Sequence, residues 1–279
     1  MTTISSYESM IAAAHGGPRK VEVTRDGDVA VVCMNDPANL NALSAALTVQ
    51  LHEALRGLVA DPAVRTIVLT GANGYFSAGG DLRAMQGTVH ALVDEGDEGA
   101  VAMWRWIRQQ FGGVVRTIVQ SDKVFIAAVR GAAAGVALAF ALACDLIVVA
   151  DDARLVLAFG KIGLVPEVGT SWLLTRRLGY AKTFGLFLKG ATVGAIEAER
   201  LGLVNEVVPV GEEVERAKLW AERVRALPQP AVAMTKPLLR AAADAGWHQA
   251  LALEEFAEPM CFTTTAHREA VAAMLAKSR

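Results

Sequence analysis

Cysteine, aromatic residues and net charge are all scarce in this chain. The 279 residues include three cysteines, Cys33, Cys144 and Cys261, which are scattered through apolar contexts. They form no Cys-x-x-Cys pair and no zinc spacing, and an odd count suits a reducing compartment, so they read as small buried hydrophobes. The histidines, His15, His52, His90, His248 and His267, also lack metal spacing, and no metal site is expected. No Gly-Lys-Ser/Thr and no G-x-G-x-x-G is present, which excludes the common phosphate loops. A formal charge of −2 and a pI near 6.2 argue against a nucleic-acid surface, while local basic clusters such as Arg176-Arg177 stay open as anion contacts. Long apolar runs are missing too. The 14 residues between Arg130 and Asp145 are the most membrane-like tract, but as a helix they span only ~21 Å against a ~30 Å hydrocarbon core. They read as a buried core helix, and no membrane partner is expected. The N-terminus lacks a basic start followed by an apolar stretch, which predicts no secretory signal and a soluble, cytoplasmic protein.

What the chain does have is core. It is 53% hydrophobic and 20% charged, with a mean hydropathy of +0.35, enough to bury a large interior. Residues 1–19, with Gly16-Gly17-Pro18, look like a loose leader. Val21–Thr24 and Val29–Met34 alternate around Asp26-Gly27-Asp28, which predicts a hairpin. Ser44 can cap a helix carrying Leu47, Leu51, Leu55 and Leu58, ending near Asp61-Pro62. Strands are expected at 66–70, 124–129, 145–149 and 154–157, and a helix from Trp104 to Ile118. The loose, acidic residues 87–99 fit either a solvated loop or a lid over a substrate. From Thr170 onward the pattern is helical, broken at Gly179, Gly190, Gly202 and Pro228/Pro230 and interrupted by one strand at 206–210. The division is therefore a leader at 1–19, an α/β core at 20–210 and an α-helical region at 211–279.

Two stretches look built to hold a carbonyl oxygen. Phe76-Ser77-Ala78-Gly79-Gly80-Asp81 follows the β-branched run Thr66–Thr70, and Gly131-Ala132-Ala133-Ala134-Gly135-Val136 follows Val124–Val129. A strand that opens into a helix across glycines leaves unpaired N–H groups at the positive end of the helix dipole. Either junction alone is compatible with a packing role. Facing one another, they would supply the paired donors of an oxyanion hole for a thioester or similar carbonyl.

In order along the chain come Asn35-Asp36-Pro37-Ala38-Asn39-Leu40-Asn41-Ala42-Leu43-Ser44, then Phe76 to Leu82, Gly131 to Asp145, and Gly163-Leu164-Val165-Pro166-Glu167. Together they resemble the crotonase superfamily, the enoyl-CoA hydratases and isomerases, from about Val21 to the C-terminus. The resemblance implies a spiral of β-β-α units with a helical C-terminal trimerisation region, assembled as a homotrimer or a hexamer of two trimers. It implies an acyl-CoA thioester as partner, and no cofactor beyond the coenzyme A of the substrate. It places the two oxyanion N–H groups on Gly80 and Val136, and an adenine-binding carbonyl on Ala78. Asp81 suits capping of the next helix better than chemistry, though it stands on the substrate side of the loop. Asn39 stands where many relatives carry a basic residue near the CoA phosphates. Lys277 resembles a C-terminal lysine that reaches those phosphates, but a solvated helix end fits it equally.

The departures from the pattern concern proton transfer. Enoyl-CoA hydratases use two glutamates, and here the matching positions are Ala139 and Phe159, neither of which can hold a water or move a proton. Both remain as substrate-lining residues. Hydration needs a base at one carbon and an acid at its neighbour. Glu167 matches the single base of Δ3,Δ2-enoyl-CoA isomerases, and Ser171-Trp172-Leu173-Leu174 resembles ring-type isomerases of phenylacetate breakdown. Apolar neighbours such as Leu164, Val165 and Val168 are expected to raise its pKa. The competing reading makes Glu167 a carboxylate in a helix's first turn, favoured by the dipole. Three readings follow for the chain: a double-bond isomerase, an enoyl-CoA hydratase of fatty-acid β-oxidation, or a non-catalytic acyl-CoA-binding protein.

Overall fold

The computed structural model describes residues 7–87 and 96–277. Strands β1 (Val21–Asp26), β2 (Val29–Met34), β3 (Thr66–Gly71), β4 (Val124–Val129), β6 (Leu146–Ala150) and β9 (Glu206–Val208) form one sheet in that order, antiparallel between β1 and β2 and parallel elsewhere. The period of two along these strands divides the sheet into faces. Ala30, Val32, Ile67, Leu69, Phe125, Ala127, Ile147 and Val149 join the main core. Val29, Val68, Ile126, Ala128, Val148 and Val208 face the other way, where α10 (Glu213–Arg225) covers them with Ala217 and Ala221. Parallel strands buried on both faces require such cover.

A second sheet of three-residue strands stands beside the first. It runs β5 (Ala132–Ala134), β7 (Arg154–Val156) and β8 (Thr192–Gly194), with β5 and β7 parallel and β8 antiparallel to β7. β5 and β8 both go unrecognised in the sequence, where Ala132–Ala134 reads as part of a glycine junction and a single strand is expected after Thr170. The second glycine junction therefore passes through a short strand before it reaches its helix.

Helix α2 (Ala45–Ala60) begins where expected, with the Ser44 side chain accepting from Leu47 N–H at 3.4 Å. The supposed leader is not loose throughout, since α1 (Tyr7–His15) packs on α2 and buries Met10 and Ala14. Residues 82–87 form α3. Of the acidic stretch at 87–99, residues 88–95 lie outside the described residues, and Asp97 already begins α4 (Asp97–Trp106). A π-helical turn, Ile107–Phe111, joins α4 to α5 (Gly112–Gln120).

Every residue of α6 (Val136–Ala143) is buried, as its uniformly apolar sequence requires. No helix of the described residues is long and apolar enough to cross a membrane. The remaining helices are α7 (Thr170–Leu178), α8 (Tyr180–Lys189), α9 (Ala195–Arg200), α11 (Gln229–Ala242), α12 (Trp247–Phe262) and α13 (Thr265–Lys277). A buried cation ties α11 to the core: Lys236 Nζ donates to the Ile118 and Lys123 carbonyls at 2.8 and 2.7 Å and pairs with Asp145 at 2.9 Å. Arg176 and Arg177 are also structural. Arg176 pairs with Asp244 and lies over the Trp172 ring, while Arg177 donates to the Leu142 carbonyl at the end of α6. The anion contact left open for this pair gives way to an ion pair at Arg176 and to capping of a helix C-terminus by Arg177.

Candidate active site

The two glycine junctions lie side by side. Phe76 N–H donates to the Arg130 carbonyl at 2.8 Å, Ser77 N–H to Ala132 at 2.9 Å, and Ala134 N–H back to Ser77 at 3.1 Å. Ser77 stands opposite Ala133 in a parallel bridge, so three residues further along each segment come Gly80 and Val136. Such an approach tolerates no side chain at two points. A Cβ on Gly79, at φ +87°, would sit 2.5 Å from the Ala134 carbonyl oxygen, and one on Gly131, at φ +59°, 2.3 Å from that of Gly74.

Most amides of the two junctions are paired, and two are left over. In the first junction, Ala78 N–H donates to the Leu40 carbonyl and Gly79 N–H to Ser77 Oγ. The next amide, Gly80 N–H, finds no acceptor among the described residues. In the second junction, Gly131 N–H donates to Asp152 Oδ1 and Gly135 N–H to the Val156 carbonyl. Val136 N–H, the first of α6, again finds no acceptor among the described residues. Its side chain is packed into the core, so the amide serves as well as a glycine's would. Asp81 Oδ1 accepts from Arg83 and Ala84 N–H, both at 3.0 Å, and thereby caps α3. Ala78 is exposed, and Met85 of α3 lies close to Gly80.

Two buried polar residues shape the first junction and were not singled out in the sequence. Asn41, fully buried, donates to the Ala72 and Tyr75 carbonyls and accepts from Asp36 N–H. Ser77 donates to the Asn41 carbonyl at 2.7 Å and accepts from Gly79 N–H at 3.1 Å. The signal available was a short polar side chain inside each motif, at a place where the neighbours are apolar.

Ala139 is fully buried within α6. Phe159 is buried too, with its ring 3.9 Å from where a Cβ on Gly135 would be, against the second junction. The structure thus places Phe159 beside Gly135, and neither Ala139 nor Phe159 offers a titratable group. Glu167 lies in the segment that leads from Phe159 to α7, and α7 packs on α6. Its carboxyl is half-buried, and loss of hydration holds its pKa above the ordinary carboxylate range. A helix N-terminus would lower it instead, and Gly169, not Glu167, caps α7. Leu164 and Val165 are exposed and cannot be the shield expected of them; of the three apolar neighbours, only Val168 packs against the core.

The remaining candidates fall outside this constellation. Asn39 donates to both Asp36 carboxylate oxygens, and Lys277 ends α13 in an exposed position. Burial pushes the Cys144 thiol up to about 12 and Cys33 to about 11, so neither is nucleophilic. No group of His, Cys, Asp and Glu among the described residues could hold a metal ion.

The sequence matches the family described as Enoyl-CoA hydratase/isomerase over residues 24–278. It is 35% identical to a Thermus thermophilus protein that carries the provisional name of an enoyl-CoA hydratase, over 90% of this chain and 96% of that one. It is 30% identical to the 1,2-epoxyphenylacetyl-CoA isomerase of Escherichia coli, over 89% of this chain and 92% of that one. Among solved structures it resembles a provisionally named enoyl-CoA hydratase from Thermobifida fusca in complex with acetoacetyl-CoA. That match has a TM-score of 0.76 at 28% identity, covering 92% of this chain and 97% of the other.

Proposed function

Because the chain belongs to the enoyl-CoA hydratase/isomerase family, we propose that it moves a double bond within an enoyl-CoA thioester. In this reading the thioester oxygen sits between Gly80 N–H and Val136 N–H. Glu167 takes a proton from C2, and the negative charge spreads onto the oxygen as an enolate. The same carboxyl, now protonated, returns the proton at C4, and the double bond ends conjugated with the carbonyl. Two backbone donors aimed at the developing charge are worth about 3–4 kcal/mol each in the transition state. No cofactor is required, since coenzyme A arrives with the substrate. Ala78 and Asp81 flank the CoA side, and Ala139 and Phe159 the acyl side.

What carries the reading is the contrast between the acid/base positions. Ala139 and Phe159 have no exchangeable proton, whereas Glu167 has a carboxyl whose pKa burial has raised toward working pH. The hydratase reading draws support from the names of the relatives, and it requires a second acid that neither position supplies. The acetoacetyl-CoA complex of the similar Thermobifida protein supports an acyl-CoA ligand for this chain. Assembly as a homotrimer or hexamer fits the large apolar side chains left exposed on the helical tail, Trp247, Phe256 and Met274.

The test is a pair of parallel assays, 3-enoyl-CoA followed for double-bond migration and crotonyl-CoA for water addition. Migration with feeble hydration is expected. Hydration at rates ordinary for enzymes, without migration, would put the hydratase reading ahead; neither reaction, with CoA thioesters still bound, would favour the binding protein.

A further inference from the structure

The residue after Glu167 adopts a backbone conformation that its side chain opposes. Val168 has φ +46° and Gly169 φ +91°, and Thr170 N–H donates to the Glu167 carbonyl at 2.9 Å. Two central residues with positive φ closed by that bond make a type I′ turn, whose usual occupants are Asn-Gly or Gly-Gly. Four non-glycine residues have positive φ among the described residues, Leu40, Asn41, Asn73 and Val168, and only Val168 is β-branched. A β-branched residue in that region is an outlier that persists only where the surroundings over-determine it, and such outliers cluster at active sites.

The surroundings do over-determine this turn. Thr170 is fully buried, and its Oγ1 donates to the Glu167 carbonyl at 2.7 Å beside its own N–H. Gly169 lies against Val115 and Leu173, and its carbonyl accepts the first bond of α7 from Leu173 N–H. Glycine or asparagine at 168 would form the same turn without strain. What valine adds is a side chain packed on the main core. That contact ties the turn to the core at the residue next to the carboxyl.

We infer that Val168 is a positioning residue, which fixes the Glu167–Thr170 turn against the core so that the Glu167 carboxyl is held in one orientation. The inference rests on the reading of Glu167 as the base. Glu167 has no side-chain hydrogen bond or ion pair among the described residues, so its main-chain support is what orients it.

The test is steady-state kinetics of double-bond migration for Val168→Gly, with thermal melting and with Val168→Ile and Glu167→Gln alongside. Val168→Gly should lower kcat by about tenfold or more while KM changes little, since small misplacements of a reacting group cost that much. Its melting temperature should hold or rise as the strain is released, and Val168→Ile, which keeps the packing, should keep kcat near wild type. A Val168→Gly enzyme with wild-type kcat overturns the inference and leaves Val168 a tolerated outlier. Should that variant melt below the assay temperature, Val168→Asn, which favours the same turn, carries the same kcat criterion. Wild-type activity in Glu167→Gln would overturn the base itself, whereas an inactive Glu167→Gln beside a normal Val168→Gly overturns only the positioning role.

Discussion

Along the two glycine junctions nearly every polar group is spoken for, while at the Glu167 turn the carboxyl proposed as the base has no side-chain partner among the described residues. Amide after amide from Phe76 to Gly79 finds an acceptor, and Asn41 and Ser77 fill the interior between them. What is left over is left in place: Gly80 N–H and Val136 N–H stand at the ends of satisfied rows. Glu167 is the reverse, a half-buried carboxyl held only through its main chain, with its charge discouraged by burial. The contrast teaches a division of labour. A site that must recognise a carbonyl benefits from rigid donors that need no reorganisation. A group that must accept and return a proton benefits from being unpaired, because an ion pair would hold it ionised and make it a poor acid.

The sharpest way to break that division is Glu167→Gln, which keeps size and hydrogen-bonding reach but removes the proposed base. Migration should fall by about 10²–10⁴-fold, with acyl-CoA binding by calorimetry nearly unchanged. Equal loss of binding and turnover would mean the carboxyl belongs to the recognition side.

Gly79→Ala attacks the junctions instead. Its Cβ would meet the Ala134 carbonyl oxygen at 2.5 Å, a backbone atom that cannot rotate away, so the two segments must part. Both donors then shift, and kcat/KM should fall by about 10²–10³-fold, the scale of losing one oxyanion donor, with a lower melting temperature as well. Asn41→Ala removes three hydrogen bonds to backbone groups, one to Asp36 in its own loop and two to Ala72 and Tyr75 in the loop after β3. Leaving those groups buried and unpaired should cost about 1–3 kcal/mol in denaturant titrations and a smaller factor in turnover.

The smallest effect concerns pH. Burial raises the folded-state pKa of Glu167, so above that value the native protein carries a poorly hydrated charge, and below the unfolded value both states are protonated and the cost vanishes. Glu167→Gln should therefore melt slightly higher than wild type at neutral and alkaline pH, and the difference should close on acidification. Wild-type turnover should show one acidic limb, falling as pH drops through the raised pKa. A gain in the variant that grows toward acid would mean that the carboxylate is stabilised in the native state.

How much of this could be read without coordinates depended on whether the deciding contacts were local. The β1–β2 hairpin, the Ser44 cap, the parallel strands β3, β4 and β6 and the buried α6 each carry their own periodicity or capping residue, and each is where the sequence put it. Helix α1 and strand β8 do not. Nine residues make a marginal helix until Met10 and Ala14 meet α2, and three residues ending in Gly194 become a strand only by pairing with β7. At the site, the glycine-rich segments announced themselves through backbone demands, whereas the significance of Ala139 and Phe159 came only from the resemblance to the hydratases. The network of Asn41 and Ser77 joins segments far apart in the chain, so a short polar side chain among apolar neighbours hinted at burial without naming its partners, and the turn at Val168 carries a residue that turn propensity disfavours.

The single-base account is tested most directly by the fate of one hydrogen. A 3-enoyl-CoA deuterated at C2, converted by the wild-type enzyme in ordinary water and analysed by NMR, should give 2-enoyl-CoA with a measurable fraction of the deuterium at C4, because one shielded carboxyl both takes and returns it. Product with only solvent hydrogen at C4, at every pH and at single turnover, would contradict a Glu167 that carries the proton from one carbon to the other.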